Sequence, residues 1–213
     1  MADDIVDAHI YYDLREGLIE AMKRYPLIAQ QSNIFWTFPL QAHVNTSVFA
    51  LFRGYDQDTR ALHLRSWLKT IQQNLHLFDE TSFRERLKDN PYVASLAQDL
   101  QKPDTKELVD DIAACSSSDP IVKKLAICRN NRIVHRNAKA LVASKISNEL
   151  CALTFDDLRI LLERAKTVLN RYSYLFSANV YSTKAVGRDD YNHIFKCVQD
   201  QLEVAMRKCT PEA

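Results

Sequence analysis

Glycine and proline are scarce in this sequence. Among 213 residues there are only 3 Gly and 6 Pro, which leaves little material for the tight turns that join neighbouring β-strands. No segment alternates regularly between apolar and polar side chains, and neither an internal repeat nor a low-complexity tract occurs. These absences argue against a β-sheet and predict an all-α protein.

Several functional signatures are missing as well. The chain has neither a P-loop nor a GxGxxG fingerprint, so nothing supports ATP hydrolysis or dinucleotide binding. Its 5 cysteines include no CxxC pair and its 6 histidines no HxxxH pair, so the usual metal-ligand spacings are absent. We therefore expect neither a metal nor a cofactor.

Secretory and membrane-spanning signals are also lacking. Residues 1–10 are acidic and have no apolar core of the kind that a secretory signal needs. The most apolar run, residues 34–52, contains Thr, Gln, His, Asn and Ser side chains and is too polar to span a bilayer. Five cysteines are an odd number without close spacing, which is typical of free thiols in a reducing compartment. We expect a cytoplasmic protein that does not bind membranes.

Apolar side chains recur at helical spacing along most of the chain. Capping boxes are predicted at Ser82 with Glu85, at Asp104 with Glu107 and at Thr154 with Asp157. Smaller helices are expected in the segment 79–118. The longer predicted helices cover residues 4–25, 39–55, 58–78, 154–176 and 189–208, and one more begins after Asp119. The sequence thus predicts a helical bundle.

Positive charge is concentrated in the helix that begins at Asp119 and Pro120, residue types that suit the cap and the first helical position. Residues 120–148 contain seven Lys or Arg and no Asp or Glu. The whole chain has 28 basic and 27 acidic residues, so 21 basic residues remain against 27 acidic ones elsewhere. A positive helix on an otherwise acidic chain indicates a polyanion as ligand.

Arg129 lies in the middle of the apolar arc of this helix, with Val122 and Leu125. His135 is on the same side, roughly 9 Å further along the axis at about 1.5 Å per residue. A guanidinium on a buried face costs several kcal/mol unless something pairs with it. Either a carboxylate from another helix pairs with Arg129, or the face is a cleft that accepts an anion. The candidate carboxylates are Asp56, Asp110 and Asp111.

The segment RNNRIVH, from Arg129 to His135, resembles the signature of the HEPN superfamily (higher eukaryotes and prokaryotes nucleotide-binding domains). That signature is an Arg, usually followed by a polar residue, and then a His, late in a helix of an all-α bundle. Here five residues separate Arg129 from His135, and Asn130 fills the polar position. A second segment, LFRGYD at 51–56 with LRSWL at 64–68, is similar to the helix end preceding the motif in the abortive-infection, AbiU-like branch.

The resemblance extends over residues 35–176 and implies a fold. It implies a four-helix HEPN-like core at about 35–176 with extra short helices. The amino- and carboxy-terminal helices would pack on that core, which makes residues 1–213 a single domain. HEPN ribonucleases are usually dimers whose motif helices meet across a cleft, so the resemblance also implies a homodimer.

The implied activity is metal-independent RNA cleavage by a toxin or phage-defence effector. Arg129, Asn130 and His135 match the catalytic positions, and His is the residue that exchanges protons near neutral pH. RNA is the implied partner, and an antitoxin or regulatory protein would be a further one. The residues expected to contact RNA phosphates are Arg132, Arg136 and Lys139.

Two alternatives remain open at this point. The first is a non-catalytic HEPN module, which would bind a nucleotide, RNA or a protein through the basic helix without cleavage. The second is a purely structural helical adaptor, in which Arg129 and His135 would contribute only to stability. Some HEPN toxins carry a Tyr two positions after the His, which a partner nucleotidyltransferase modifies. Asn137 occupies that position here, so we do not expect such a partner.

Overall fold

The computed structural model describes residues 1–31, 33–98, 102–129 and 153–209, with the side chains of residues 33 and 209 excepted. All regular secondary structure in these ranges is helical, which confirms the predicted all-α class. No helix within these ranges is long and apolar enough to cross a membrane. The helices are α1 (Ala2–Arg24), α2 (Pro26–Gln31), α3 (Asn33–Gly54), α4 (Leu64–Gln73), a 3₁₀-helix (Leu75–Phe78), α5 (Glu80–Arg86), α6 (Val93–Gln98), α7 (Thr105–Ala114), α8 (Pro120–Cys128), α9 (Phe155–Ser177) and α10 (Tyr191–Cys209).

The chain divides into two compact units. The first contains Met1–Val6 and Val48–Ser182, and the second contains Asp7–Ser47 and Thr183–Ala213. The single domain expected over residues 1–213 stays a prediction.

The core of the first unit is organised by α9. The buried side chains of α9 recur at the spacing of an amphipathic helix, as the sequence predicts. Tyr55 Oη donates a hydrogen bond of 2.9 Å to the backbone oxygen of Leu161 in this helix. Helix α9 contacts α5, α8 and the 3₁₀-helix, while α4 packs against α7. The buried side chains of α9 include Leu158, Leu161, Leu162, Ala165, Val168, Leu169 and Tyr172.

The second unit has a small aromatic core. Ala21, Ile28 and Phe195 are buried at its centre, and the rings of Trp36 and Tyr191 pack around them. Helix α10 packs against α2 in this unit. Gly17 allows Tyr191 to approach closely, because a Cβ atom at position 17 would collide with the Tyr191 hydroxyl oxygen and displace that side chain.

Local signals correctly predicted the starts of α7 and α9. Thr154 and Asp157 form the predicted reciprocal capping box at the start of α9. The carboxylate of Asp104 accepts a hydrogen bond from the backbone N–H of Glu107 and so caps α7. In both cases a short polar side chain meets donors within its own first turn, which sequence alone can indicate.

Three other predicted starts are wrong. Helix α5 begins at Glu80 and not after Ser82, because the Asp79 carboxylate accepts from the Ser82 N–H at 2.6 Å. Helix α4 begins at Leu64 and not near 58, because His63 Nδ1 accepts from the Ser66 N–H. Helix α3 begins at Asn33 and carries Pro39 inside it, whereas the sequence predicts a start at 39.

Candidate functional site

Helix α8 leads into the predicted motif and has a firmly held start. The Asp119 carboxylate accepts hydrogen bonds from the backbone N–H groups of Ile121 and Val122, at 2.8 and 3.0 Å. Its second oxygen pairs with the guanidinium of Arg164 on α9 at 3.1 Å. One side chain therefore caps α8 and also ties it to the central helix of the first unit, which confirms the predicted helix start.

We expect Asp119→Ala to lower the free energy of unfolding by about 2 kcal/mol, since it removes two capping bonds and an ion pair. Asp119→Asn should cost less, because an amide oxygen still caps the helix. Urea denaturation of both variants measures the difference. Asp104→Ala is the matched control, because Asp104 is exposed and caps α7 by accepting a hydrogen bond from the backbone N–H of Glu107. Equal losses for Asp119→Ala and Asp119→Asn would contradict the capping account.

The apolar arc predicted for this helix is the buried face of α8. Val122, Leu125 and Cys128 are 2%, 0% and 8% exposed. Arg129 follows at the end of α8 and is half-buried, with its backbone N–H still bonded to the helix. Its guanidinium carbon lies 4.0 Å from the centroid of the Phe52 ring, near the end of α3. The charge on the buried face thus meets an aromatic ring.

The candidate carboxylates do not pair with Arg129. Asp111 instead pairs with Arg171 at 2.6 Å and accepts a hydrogen bond from Tyr172 Oη at 2.8 Å. Asp56 accepts from the backbone N–H groups of the two residues that follow it, and Asp110 is exposed. Among the described residues, the Arg129 guanidinium forms no ion pair and no hydrogen bond. Its donors are therefore left for a ligand or for residues outside the described ranges.

The remaining motif residues lie outside the described residues. Only three of the seven basic residues of the segment are described: Lys123 is exposed, Lys124 pairs with Asp157 at 3.0 Å, and Arg129 stacks on Phe52. The structure therefore leaves the predicted site untested. The predicted site residues outside the described ranges are Asn130, Arg132, His135, Arg136 and Lys139.

Asp157 joins the first turn of α9 to α8. Its carboxylate accepts from the backbone N–H of Thr154 at 3.1 Å and from Lys124 Nζ at 3.0 Å. Burial alone would raise the pKa of Asp157, but these bonds outweigh it and hold the pKa below its ordinary value. Because the pKa of Asp157 is lower in the folded protein, its ionised carboxylate stabilises the fold at pH values above the pKa of an unfolded aspartate, about 3.9. That contribution is lost as the pH falls through the folded pKa.

We therefore expect a pH-dependent penalty for Asp157→Asn. The variant should lose about 1 kcal/mol of unfolding free energy at pH 7. The gap from wild type should narrow as the pH falls below about 3.9, the pKa of an unfolded aspartate. Urea denaturation at several pH values gives both quantities. Asp156→Asn is the control in the same turn, because Asp156 is exposed and pairs with Arg159 at the surface. A penalty that stays constant down to pH 3 would argue against an ionised, paired Asp157.

The sequence pattern does not predict the contacts of two residues at this site. Phe52 lies in the quoted segment LFRGYD, but nothing in the pattern indicates that its ring meets Arg129. Arg164 has no local signal, although it holds Asp119 and also donates to the backbone oxygen of Ala114 at 2.7 Å.

Cys115 lies nearby and is fully buried, which raises its pKa to about 12 and makes it a core thiol. Among the described residues, no His, Cys, Asp or Glu cluster could hold a metal ion.

Comparison with known proteins identifies the family. The model of the family described as AbiU2, a HEPN family, matches residues 1–194. No curated protein and no solved structure gives a significant match. The matched range contains α8, Phe52 and the complete segment from Arg129 to His135. It confirms the resemblance drawn from the two sequence segments, and this chain belongs to the HEPN AbiU2 family.

Proposed function

We propose that this chain is a metal-independent endoribonuclease that acts in abortive infection as a toxin or phage-defence effector. HEPN families commonly contain nucleases, and the Arg-Asn…His signature is intact here. The observation that carries the proposal is the position of Arg129. Its guanidinium stacks on Phe52 at the end of a capped helix, and no described residue occupies its donors.

The proposed reaction needs few groups. The ribose 2′-oxygen loses its proton and bonds to the adjacent phosphorus, and the bond from phosphorus to the 5′-oxygen breaks. The departing 5′-oxygen takes up a proton, so the products end in a 2′,3′-cyclic phosphate and a 5′-hydroxyl. His135 exchanges protons near neutral pH, and Asn130 hydrogen-bonds the phosphate or orients the imidazole.

Arg129 would stabilise the charge that develops on the phosphorane. A guanidinium offers paired donors to two phosphate oxygens and stays ionised at any physiological pH. The guanidinium carbon lies over the Phe52 ring, 4.0 Å from its centroid, and this contact would limit the movement of the group. Donors that are oriented before the substrate arrives stabilise a transition state better than mobile donors do.

A single histidine cannot easily act on both sides of one phosphorus atom. In the proposed homodimer a two-fold axis brings two Arg129–His135 pairs to one phosphate, so the active site is composite. Arg132, Arg136 and Lys139 follow on the same basic segment and would hold the flanking phosphates. RNA and a second copy of the chain are thus the proposed partners, and an antitoxin or regulatory protein is a further one.

Incubation of the purified protein with total RNA in EDTA tests this proposal, with the subunit number measured by light scattering. We expect a dimer that cuts RNA at catalytic protein concentrations. A folded protein that binds RNA but leaves it intact even at equimolar concentration would overturn the proposal. That result would instead support the non-catalytic binding module.

A further inference from the structure

A cavity of about 570 Å³ lies in the first unit, between α4, the 3₁₀-helix and the second half of α9. Helix α4 lines it with Trp67, Thr70 and Asn74, which share one face of the helix. Helix α9 contributes Tyr172 and Phe176. The volume falls within the range of about 300–1,000 Å³ that small-molecule sites occupy. Neither the RNA-cleavage proposal nor the predicted motif uses this cavity.

Its aromatic walls are held in fixed pairs. The rings of Trp67 and Tyr172 meet edge to face at 6.1 Å, and those of Phe78 and Phe176 lie 5.3 Å apart. The Arg86 guanidinium covers the Phe176 ring at 3.9 Å, and Arg86 Nε donates to the Phe176 backbone oxygen. Rings fixed in this way leave a preformed space. A ligand that enters it need not order these side chains, so binding costs little conformational entropy.

The side chains around the cavity carry no formal charge. The charged amino group of Met1, which also lies at the cavity, is already paired with the Asp4 carboxylate at 3.3 Å. Their polar groups are engaged with the protein itself: Thr70 Oγ1 donates to the Ser66 backbone oxygen, and Asn74 Nδ2 donates to that of Thr70. The Tyr172 hydroxyl donates to the Asp111 carboxylate. An anion would lose its hydration here and meet only the Met1 amino group, which Asp4 already neutralises, whereas an apolar molecule gains from the transfer out of water.

We propose that this cavity binds a neutral, largely apolar small molecule with a flat ring system. The neutral lining selects against charged ligands, and the paired aromatic rings offer stacking and edge contacts to a planar one. This binding site is independent of the proposed RNA cleavage. A ligand held there would contact α4, the 3₁₀-helix and α9 together.

The test uses two fluorescent probes that differ mainly in charge: neutral N-phenyl-1-naphthylamine and its anionic relative 1-anilinonaphthalene-8-sulfonate. The chain has 2 Trp, so the full-length Trp36→Phe variant keeps Trp67 as its single tryptophan. We expect one neutral probe to bind per chain, with saturable quenching of Trp67 emission and at least tenfold weaker binding of the anionic probe. Absence of saturable neutral-probe binding, or equal affinity for the two probes, would overturn the proposal.

Matched variants locate the bound probe. Thr70→Phe places a ring in the cavity and should weaken binding at least tenfold. Lys69→Phe is the matched control, because it adds the same ring on the opposite, exposed side of α4. Ser177→Phe intrudes from α9 and should have the same effect as Thr70→Phe. Circular dichroism establishes that each variant is folded. Equal probe affinity in folded Thr70→Phe and Lys69→Phe proteins would place the probe elsewhere and contradict the proposal.

Discussion

His135→Ala is expected to lower the rate of RNA cleavage by about 10²–10⁴-fold, the usual contribution of general acid–base catalysis. In the proposed dimer the substitution removes both imidazoles from the composite site, so neither proton transfer keeps a protein catalyst. The neighbouring cations remain, so RNA affinity should change little. Cleavage rates and filter binding on the same preparations separate the two effects.

His76→Ala is the matched control, since His76 is an exposed histidine in the 3₁₀-helix of the first unit. It should cleave RNA at the wild-type rate. If His135→Ala also cleaves at that rate, His135 does not transfer the protons, and the proposed mechanism is wrong. If RNA binding fails together with cleavage, His135 contributes to RNA binding and not only to chemistry.

Arg129→Ala is expected to lower cleavage by about 10²–10³-fold, as the loss of a donor to a developing oxyanion does elsewhere. Arg129→Lys should recover only part of this loss, because an ammonium group cannot present two donors in one plane. Both variants also change the contact with Phe52, worth about 0.5–2 kcal/mol of stability. Rate measurements and urea denaturation must therefore be made on the same variants.

Phe52→Leu separates the two roles of Arg129. It keeps an apolar side chain in the core but removes the aromatic face under the guanidinium. We expect a loss of cleavage of about tenfold, which corresponds to about 1.4 kcal/mol and lies within the cation–π range. The control for Arg129→Ala is Arg159→Ala, which also removes a positive charge, since Arg159 is exposed and pairs with Asp156. An Arg129→Ala protein that is less stable but fully active would make Arg129 a structural residue.

The helices were largely predictable because their signals are local. Apolar spacing and short polar caps act within one or two turns, so the starts of α8 and α9 can be predicted from Asp119 and from Thr154 with Asp157. The start of α4 was missed because its cap is an imidazole, His63, which is not a usual capping group. Pro39 suggested a helix start but lies inside α3.

The surroundings of the candidate site were less predictable. Sequence spacing correctly placed Arg129 on the buried face, but it could not identify the group that Arg129 meets. That group, Phe52, comes from a helix remote in sequence, as does Arg164 against Asp119. Tertiary partners of this kind depend on how helices pack, and a repeating pattern within one helix contains no information about the neighbouring helix.

The central claim is that a ribose 2′-hydroxyl attacks the phosphate without help from a metal. It is tested most directly with a short RNA whose cleavage position has been mapped, compared in EDTA with the same strand carrying one 2′-deoxyribose just before that position. The account predicts cleavage of the all-ribose strand to a 2′,3′-cyclic phosphate and a 5′-hydroxyl, and no cleavage at the substituted position. Cleavage of the deoxy-substituted strand, or products ending in a 3′-hydroxyl and a 5′-phosphate, would contradict it.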